Sequence, residues 1–363
     1  MEPPPAEAAP ITQRLISAFL NRFKPGMGRM IVGSLLWCAL AVFLLLGALN
    51  AGAISQYPSI SLRYETPING QAAYQARVYS IEHSEEKSFW PTYWHETRAQ
   101  VESEYVSAKA ACILFSGDAA LVWPAQYLGG AAPGVTDGAG CSVSSALAWK
   151  LWGGNDVVGK TAEVDGEKRT VRGVFDGKDE LLLVSVRDEA TSQSFTAVEL
   201  SGGPTDPTRS DAESFARLAG LGAPDSVLMG TPATLAEAMA ALPLFILAFY
   251  GFALCVARLR GRPAAFRLCL LLALLGAAFF LPSFLDKLPG WMIPTRWSDF
   301  SFWGSLSGQI GDNLREYLVL RPRLRDVAYK VLMLKQVGIA FLATACALSI
   351  CFRWHANRRR IPG

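Results

Sequence analysis

Four uncharged apolar runs constrain this chain more than anything else in it. Met30 to Ala53 (MIVGSLLWCALAVFLLLGALNAGA) has no charged residue over a length that matches the hydrocarbon core of a bilayer. Ala238 to Ala257 (AMAALPLFILAFYGFALCVA) and Leu268 to Leu285 (LCLLLALLGAAFFLPSFL) are also uncharged, the second near the lower limit of a spanning segment. Leu334 to Phe352 (LKQVGIAFLATACALSICF) carries Lys335 close enough to its end to snorkel to an interface. These blocks explain why 51% of the 363 residues are apolar. Four spans put both termini on one side.

Charge placement says which side. Arg14, Arg22, Lys24 and Arg29 precede the first run, Arg258, Arg260, Arg262 and Arg267 lie between the second and third without an acid, and Arg353 and Arg358 to Arg360 follow the fourth. The positive-inside rule places all three segments, and so both termini, in the cytoplasm. Residues 54–235 then lie outside, with 23 Asp and Glu against 14 Lys and Arg, a split that the net charge of +3 conceals. Such an acidic domain offers no basic face for phosphates, which excludes nucleic acid as a partner. An alternative for the first run is a cleaved signal peptide, since Ala51-Gly52-Ala53 has the small-x-small form, but the run exceeds an ordinary h-region and reads as a signal anchor. Upstream, Ile11 to Phe23 spaces Ile11, Leu15, Ile16, Phe19 and Leu20 helically opposite Arg14 and Arg22, the pattern of an amphipathic helix on the membrane surface; a frayed basic leader is the alternative.

The expected organisation is a cytoplasmic N-terminus (1–29), a span (30–53), an extracytoplasmic domain (54–235), a span (238–257), a short cytoplasmic loop (258–267), a span (268–285), an extracytoplasmic aromatic-rich loop (286–333), a span (334–352) and a cytoplasmic tail (353–363). The external domain reads as α/β or α+β. Ala111 to Ser116 (ACILFS) and Leu181 to Val186 (LLLVSV) are buried-strand candidates, and Val78, Ser80 and Glu82 alternate with Tyr79, Ile81 and His83. Helix signals lie at Pro91 to Ser107, Ser144 to Trp152 and Asp211 to Leu221, and Ser201 to Asp211 reads as a linker or long turn. The aromatic-rich loop holds Trp291, Trp297, Phe300, Phe302 and Trp303, then a helical pattern of Leu306, Ile310, Leu314 and Leu318. That suits an interfacial belt or a packed shoulder beneath the domain.

Gly154 to Thr161 (GNDVVGKT) matches the phosphate-loop pattern G-x-x-x-x-G-K-[ST] in full. A working phosphate loop joins a buried strand to a helix N-terminus, where free amides meet the phosphates. Here the order is reversed: a short helix precedes the motif, and two Val- and Thr-rich runs split by Asp165-Gly166 follow it as a hairpin. The match is read as false. No catalytic residue, cofactor or metal is assigned, because His83 and His95 are the only external histidines and lack a ligand partner at metal spacing. Ser116-Gly117-Asp118 has no nearby His to act as base. Five cysteines (Cys38, Cys255, Cys269, Cys346 and Cys351) lie in or beside apolar runs. Cys112 and Cys141 belong to the external domain, where they either form one disulfide or are simply buried.

The run Gly140 to Phe175, GCSVSSALAWKLWGGNDVVGKTAEVDGEKRTVRGVF, resembles the MacB-like periplasmic core domain of FtsX-like permeases of bacterial ABC transporters. The pattern there is an apolar "IS" strand, an "LA-x-x-L-aromatic-G" helix, a "D-x-V/I-G-K" turn and a "V-x-G-V" strand. This chain supplies Val143-Ser144, Leu147-Ala148, Leu151-Trp152-Gly153, Asp156 with Val158-Gly159-Lys160, and Val171 with Gly173-Val174. The family's order of one span, a large external domain and three spans matches the order read from hydropathy. The resemblance implies a multi-pass subunit of the bacterial cytoplasmic membrane. It pairs with itself or a paralogous permease and with a separate cytosolic ABC ATPase subunit, for which Arg258, Arg260, Arg262 and Arg267 offer the contact. It also implies export or transmission of force across the membrane rather than enzymatic chemistry. The inner loop Arg258 to Arg267 is shorter than the family's coupling segment, which keeps open a membrane-anchored receptor or scaffold that binds an envelope partner.

Overall fold

In the computed structural model, residues 25–57, 60–86, 88–187, 193–204, 207–259, 261–285, 290–294, 296, 298–320 and 323–358 are described. The amphipathic helix expected at Ile11 to Phe23 lies outside them, as do Arg260 and Trp297. The chain packs as two units. Helix α1 (Pro25–Ser55) leads into the globular unit, whose elements are β1 (Ile60–Asn69), α2 (Gly70–Glu82), β2 (Phe89–Glu102), β3 (Ser107–Ser116), α3 (Ala119–Val122), β4 (Tyr127–Gly130), β5 (Gly140–Ser144), α4 (Ser145–Trp152), β6 (Thr161–Val164), β7 (Glu167–Phe175), β8 (Leu181–Ser185), β9 (Ser194–Gly202), α5 (Arg209–Leu218) and β10 (Ser226–Met229). After it come α6 (Thr231–Leu259), α7 (Pro263–Leu285), α8 (Phe300–Val319) and α9 (Leu324–Arg358).

Three helices among the described residues are long and apolar enough to cross a membrane: Met30–Ser55, Thr231–Leu259 and Leu324–Ala356. The fourth expected span falls in α7, whose described apolar part, Pro263–Gly276, is shorter than a crossing needs. Three is an odd number, and an odd number of crossings leaves the two ends of a chain on opposite sides. This corrects the expectation that both termini are cytoplasmic.

The apolar unit takes α1 up to Leu49, the stretch from Ala238 to Leu271, and α9 from Lys335 onward. Leu40, Ala343, Ala347 and Ile350 form its buried seam, with Leu36, Phe43, Leu44 and Leu247 against them. Gly47 of α1 faces the same seam, where a Cβ would meet Ile339 at 3.5 Å and Ala240 at 3.8 Å, ordinary van der Waals contact. Many outward side chains, such as Leu35, Leu45, Phe249 and Phe341, are exposed, as expected where lipid is the solvent.

The globular unit is organised by one mixed sheet in the order β10-β1-β9-β2-β3-β8-β5-β7-β4, with β6 pairing both β2 and β7. That double pairing closes β2-β3-β8-β5-β7-β6 into a ring, while β10, β1 and β9 extend as an open wing from the first half of β2. The β3–β8 and β5–β7 pairs are parallel. β8 (LLLVS) is buried on both faces and reads accordingly as an uninterrupted apolar run. Side chains sort by strand alternation: Tyr93, Cys112, Leu182 and Val198 belong to one core, Trp94, Ile113, Leu183 and Ala197 to a second.

The resembling segment folds as β5, α4 and the β6–β7 hairpin. The Ser144 hydroxyl accepts from the Leu147 amide and caps α4, and Gly153 ends it at φ 73°, a left-handed position that suits Gly. Asp165 and Gly166 both take positive φ, 49° and 86°, as a two-residue hairpin turn demands.

Two local expectations are corrected. Pro91 to Ser107 is not a helix: it is most of β2, where Ala99 and Val101 turn inward between exposed Arg98, Gln100 and Glu102. The aromatic and β-branched residues Thr92, Tyr93, Trp94, Thr97 and Val101 favour the pleated form. The alternating stretch around Val78 to His83 is instead the end of α2, which the Asn69 side chain caps and which buries Ala73, Ala76 and Ser80 at helical spacing.

Candidate functional site

Strand register brings a set of charges together inside the globular unit. On β1, Ile60, Leu62 and Tyr64 join the first core, which turns Ser61 and Arg63 to the other face. On β9, Ser61 stands opposite Glu199 and Arg63 opposite Ala197; on β2, Trp94 stands opposite the same Ala197. The small alanine between them leaves room for the Arg63 guanidinium to lie 5.0 Å from the centre of the Trp94 ring.

The first turn of α9 completes the network. Arg325 Nη1 lies 2.9 Å from Glu199 Oε1, and Arg63 Nη2 donates to Asp326 Oδ1 at 2.9 Å. Glu199 Oε1 also accepts from Ser61 Oγ (2.8 Å), Trp94 Nε1 (2.8 Å) and Arg63 Nη1 (3.0 Å), and Arg63 Nη1 further donates to Ser61 Oγ. Arg325 Nη2 donates to the Leu121 carbonyl at 3.3 Å. Two guanidiniums and two carboxylates therefore balance in a space where Glu199 is fully buried and the other three nearly so. Burial works against the charged form of Arg63, but Asp326 and Glu199 outweigh it and hold its pKa above the ordinary value.

The network is incompletely satisfied. Glu199 Oε2, Asp326 Oδ2, Arg63 Nε and Arg325 Nε have no hydrogen-bond partner among the described residues. Aromatic rings supply part of the remaining solvation: Arg323 and Arg325 lie 5.4 and 5.7 Å from the Trp94 centroid, and Arg325 5.2 Å from that of Tyr57. The Tyr57 ring packs against that of Tyr329 of α9, their centroids 4.7 Å apart and their planes tilted by 55°. Removing one ion from such a cluster strands the others, whereas a well-packed apolar replacement of the whole would cost little. Its arrangement fixes where the first turn of α9 sits on β1, β2 and β9.

Neighbouring contacts hold the same turn. Glu96 Oε2 accepts from the Leu324 amide at 2.7 Å, capping α9 from β2, and Arg323 Nη1 donates to the Thr196 carbonyl at 3.2 Å. Burial, with Arg63 next, lowers the Arg323 pKa; burial and then Arg323 lower that of His95, whose Nδ1 is 3.2 Å from Thr196 Oγ1. Helix α8 docks nearby through Arg209–Glu316 (2.6 Å), Asn313 to Thr231 Oγ1 (2.9 Å) and Tyr317 to the Met229 carbonyl (2.9 Å). The aromatic-rich segment thus packs on the globular unit through its second half, while Phe300 and Trp303 remain exposed. A cleft of about 1630 Å3 opens beside the network, lined by β1, β2, β9 and α8.

The residues singled out in the sequence lie elsewhere. Cys112 and Cys141 are free buried thiols on β3 and β5, each on a strand that pairs with β8, and burial pushes both thiols up to about 12. Arg258 is near the end of α6, Arg262 in the short connection and Arg267 in α7, all exposed. In the GNDVVGKT stretch the Gly159 amide donates to the Val171 carbonyl (2.7 Å) and the Lys160 amide to the Val157 carbonyl (3.1 Å), and β6 follows at Thr161. These amides are committed within the protein, and no helix starts there to offer more. Among the described residues no three His, Cys, Asp or Glu side chains group as metal ligands.

No family model matches the chain, and no curated protein does. Solved structures similar to it include the extracellular domain of the noncanonic ABC-type transporter YknZ from Gram-positive bacteria, at 13% identity and a TM-score of 0.38, covering 47% of this chain and 97% of that one. Another is the periplasmic region of MacB from Actinobacillus actinomycetemcomitans, at 11% identity and a TM-score of 0.39, covering 49% of this chain and 92% of that one.

Proposed function

We propose that this chain is a permease-like membrane subunit of an ABC transporter that transmits force between membrane helices and an extracytoplasmic globular unit, with ATP hydrolysed by a separate cytosolic subunit. The observation that carries the proposal is the buried network at the first turn of α9. There Arg325 and Asp326 engage Glu199 of β9 and Arg63 of β1, at the head of a helix that continues as a spanning segment. Ion pairs this deep hold one geometry, so a shift of the helix start is passed to the strands rather than absorbed. The motif run Gly140 to Phe175 supports the same reading, as does the excess of acid over base in residues 54–235 beyond a basic leader.

The test is co-expression with a cytosolic ABC ATPase subunit from the same genome, an adjacent gene being the first choice. Co-purification, with ATPase activity that depends on this chain, supports the proposal. Asp326→Asn should then leave co-purification intact and lower the stimulated activity. Failure to co-purify in several detergents, with unaltered ATPase activity, overturns it. That outcome favours a second reading, a membrane-anchored receptor or scaffold, for which the observation is the brief α6–α7 connection: only residues 260–262 separate the two helices.

A further inference from the structure

We propose that the cleft beside the network is a docking slot for an extended, carboxylate-bearing segment of a partner polypeptide, which adds as a strand to the open edge of β2. The proposal stands independently of the transport reading.

The edge comes from the way β2 is shared. It pairs with β9 as far as Trp94 and with β6 from Val101 onward, so from His95 to Gln100 it has no strand partner on that side among the described residues. The edge's parity is set by Gln100, whose amide donates to Asp165 Oδ1 (2.8 Å) and whose carbonyl accepts from the Asp165 amide (2.9 Å). Alternate residues face the same way in a strand, so Arg98 and Glu96 turn their backbone donors and acceptors to the gap. The cleft is lined by His95, Glu96, Thr97 and Arg98 in succession. Consecutive side chains point to opposite faces, so four in a row line one cavity only where it meets the strand from its edge. The slot is bounded at one end by the His95–Thr196 contact and at the other by Asp165.

Three features select the occupant. The walls hold five arginines and five carboxylates, a balance that suits a polypeptide of mixed charge better than a polyanion. Arg98 on β2 and Arg315 on α8 have no ion-pair partner among the described residues, and together they offer guanidiniums to a carboxylate. The Tyr64 hydroxyl, in a residue only 5% exposed that also lines the cleft, has no partner either. Burial keeps that phenol protonated, so it remains a donor for an incoming carbonyl or carboxylate. Strand addition uses such an edge for affinity and such side chains for selection.

The experiment pans a library of random phage-displayed peptides on the full chain in detergent and, in parallel, on the Arg98→Glu/Arg315→Glu double variant, then measures enriched peptides in synthetic form against wild type, Arg98→Glu, Arg315→Glu and the control Lys178→Glu, in the β7–β8 connection and not among the cleft walls. Expected are Asp- or Glu-bearing extended sequences that lose about tenfold in affinity with either cleft change, the scale of one charge-assisted bond, and none with the control. Hydrogen exchange on the wild type should show the Glu96 and Arg98 amides gaining protection, a readout that needs no variant to fold. The proposal is overturned if no peptide is enriched over the double variant, or if bound peptides leave those amides unprotected. It is equally overturned if phosphatidylglycerol vesicles or inorganic phosphate, and not peptides, protect them.

Discussion

Glu199→Gln isolates the electrostatic part of the buried network. The replacement keeps the shape of the side chain, and its amide oxygen can still accept from Ser61 and Trp94, so packing is left almost unchanged. What disappears is one negative charge in a fully buried position where two guanidiniums face two carboxylates. Arg63 and Arg325 are then left with Asp326 alone, and Arg325 Nη1 stands 3.9 Å from its nearer oxygen. Stranding a buried charge in this way costs about 3 to 5 kcal/mol. At roughly 2 to 4 °C per kcal/mol for a unit of this size, the apparent Tm should fall by about 6 to 20 °C. Thermal unfolding of the full chain, followed by intrinsic tryptophan fluorescence, reads the shift, and the Trp94 indole bonded to Glu199 makes the signal partly local. Adding Arg63→Met to Glu199→Gln removes the excess positive charge and should recover a large part of the loss. A fall of less than about 2 °C would refute the argument, as would strict additivity of the two changes, since coupled buried charges depart from additivity by more than about 0.5 kcal/mol.

Three further outcomes are expected. His95 should titrate below the ordinary histidine value of about 6.5, and Arg323→Gln should raise its midpoint, both visible in its ring proton resonances. The linked penalty on stability is absent above about pH 6.5, grows as pH falls through that value and is complete only below the lowered folded midpoint; a flat dependence of stability on His95→Gln across this window would contradict it. Cys112 and Cys141, with thiols pushed up to about 12 and fully buried, should resist N-ethylmaleimide in the native protein at pH 8 and both react after denaturation; one that stays unreactive until reduced would show a disulfide. Lys160→Ala should leave nucleotide binding by the purified chain unchanged at background, whereas saturable ATP binding lost with that change would restore the phosphate-loop reading.

Local chemistry was legible where a residue's role depends on its immediate neighbours. Ser144 as a cap, Gly153 as a helix stop and Asp165-Gly166 as a hairpin turn all act within a few positions, so the Gly140 to Phe175 run could be read element by element. β2 could not. Its Glu, Arg, Ala and Gln content suits a helix as well as a strand, and pairing with β3 and β9 decides the matter. The alternation around Val78 to His83 covers too few residues to outweigh the buried Ala73, Ala76 and Ser80 of α2. The network left only a faint mark: Arg63 stands in the apolar run ISLRY and Glu199 in TAVEL, single charges where a strand should bury apolar groups. Their partners lie 136 and 263 positions apart along the chain, a separation across which a single sequence carries no pairing signal.

The site and the cleft have one origin in β2. A strand that belonged wholly to the ring or wholly to the wing would present no open edge. Because β2 leaves β9 after Trp94 and meets β6 only at Val101, backbone groups are exposed in between, and burying them without partners would be costly. At the point of parting, the Thr196 carbonyl is taken by Arg323, and the side chain of Glu96 takes the Leu324 amide. Thr196, which helps secure the start of α9, therefore also closes one end of the slot, and Glu96 belongs both to that attachment and to the open edge. The first turn of α9 cannot move away from the sheet without releasing Thr196 and Glu96 at the same time as it pulls Arg325 from Glu199. Strand addition at the slot would hold β2 and bear directly on Glu96, so peptide binding and the position of the α9 turn are linked through this strand, and by reciprocity each biases the other.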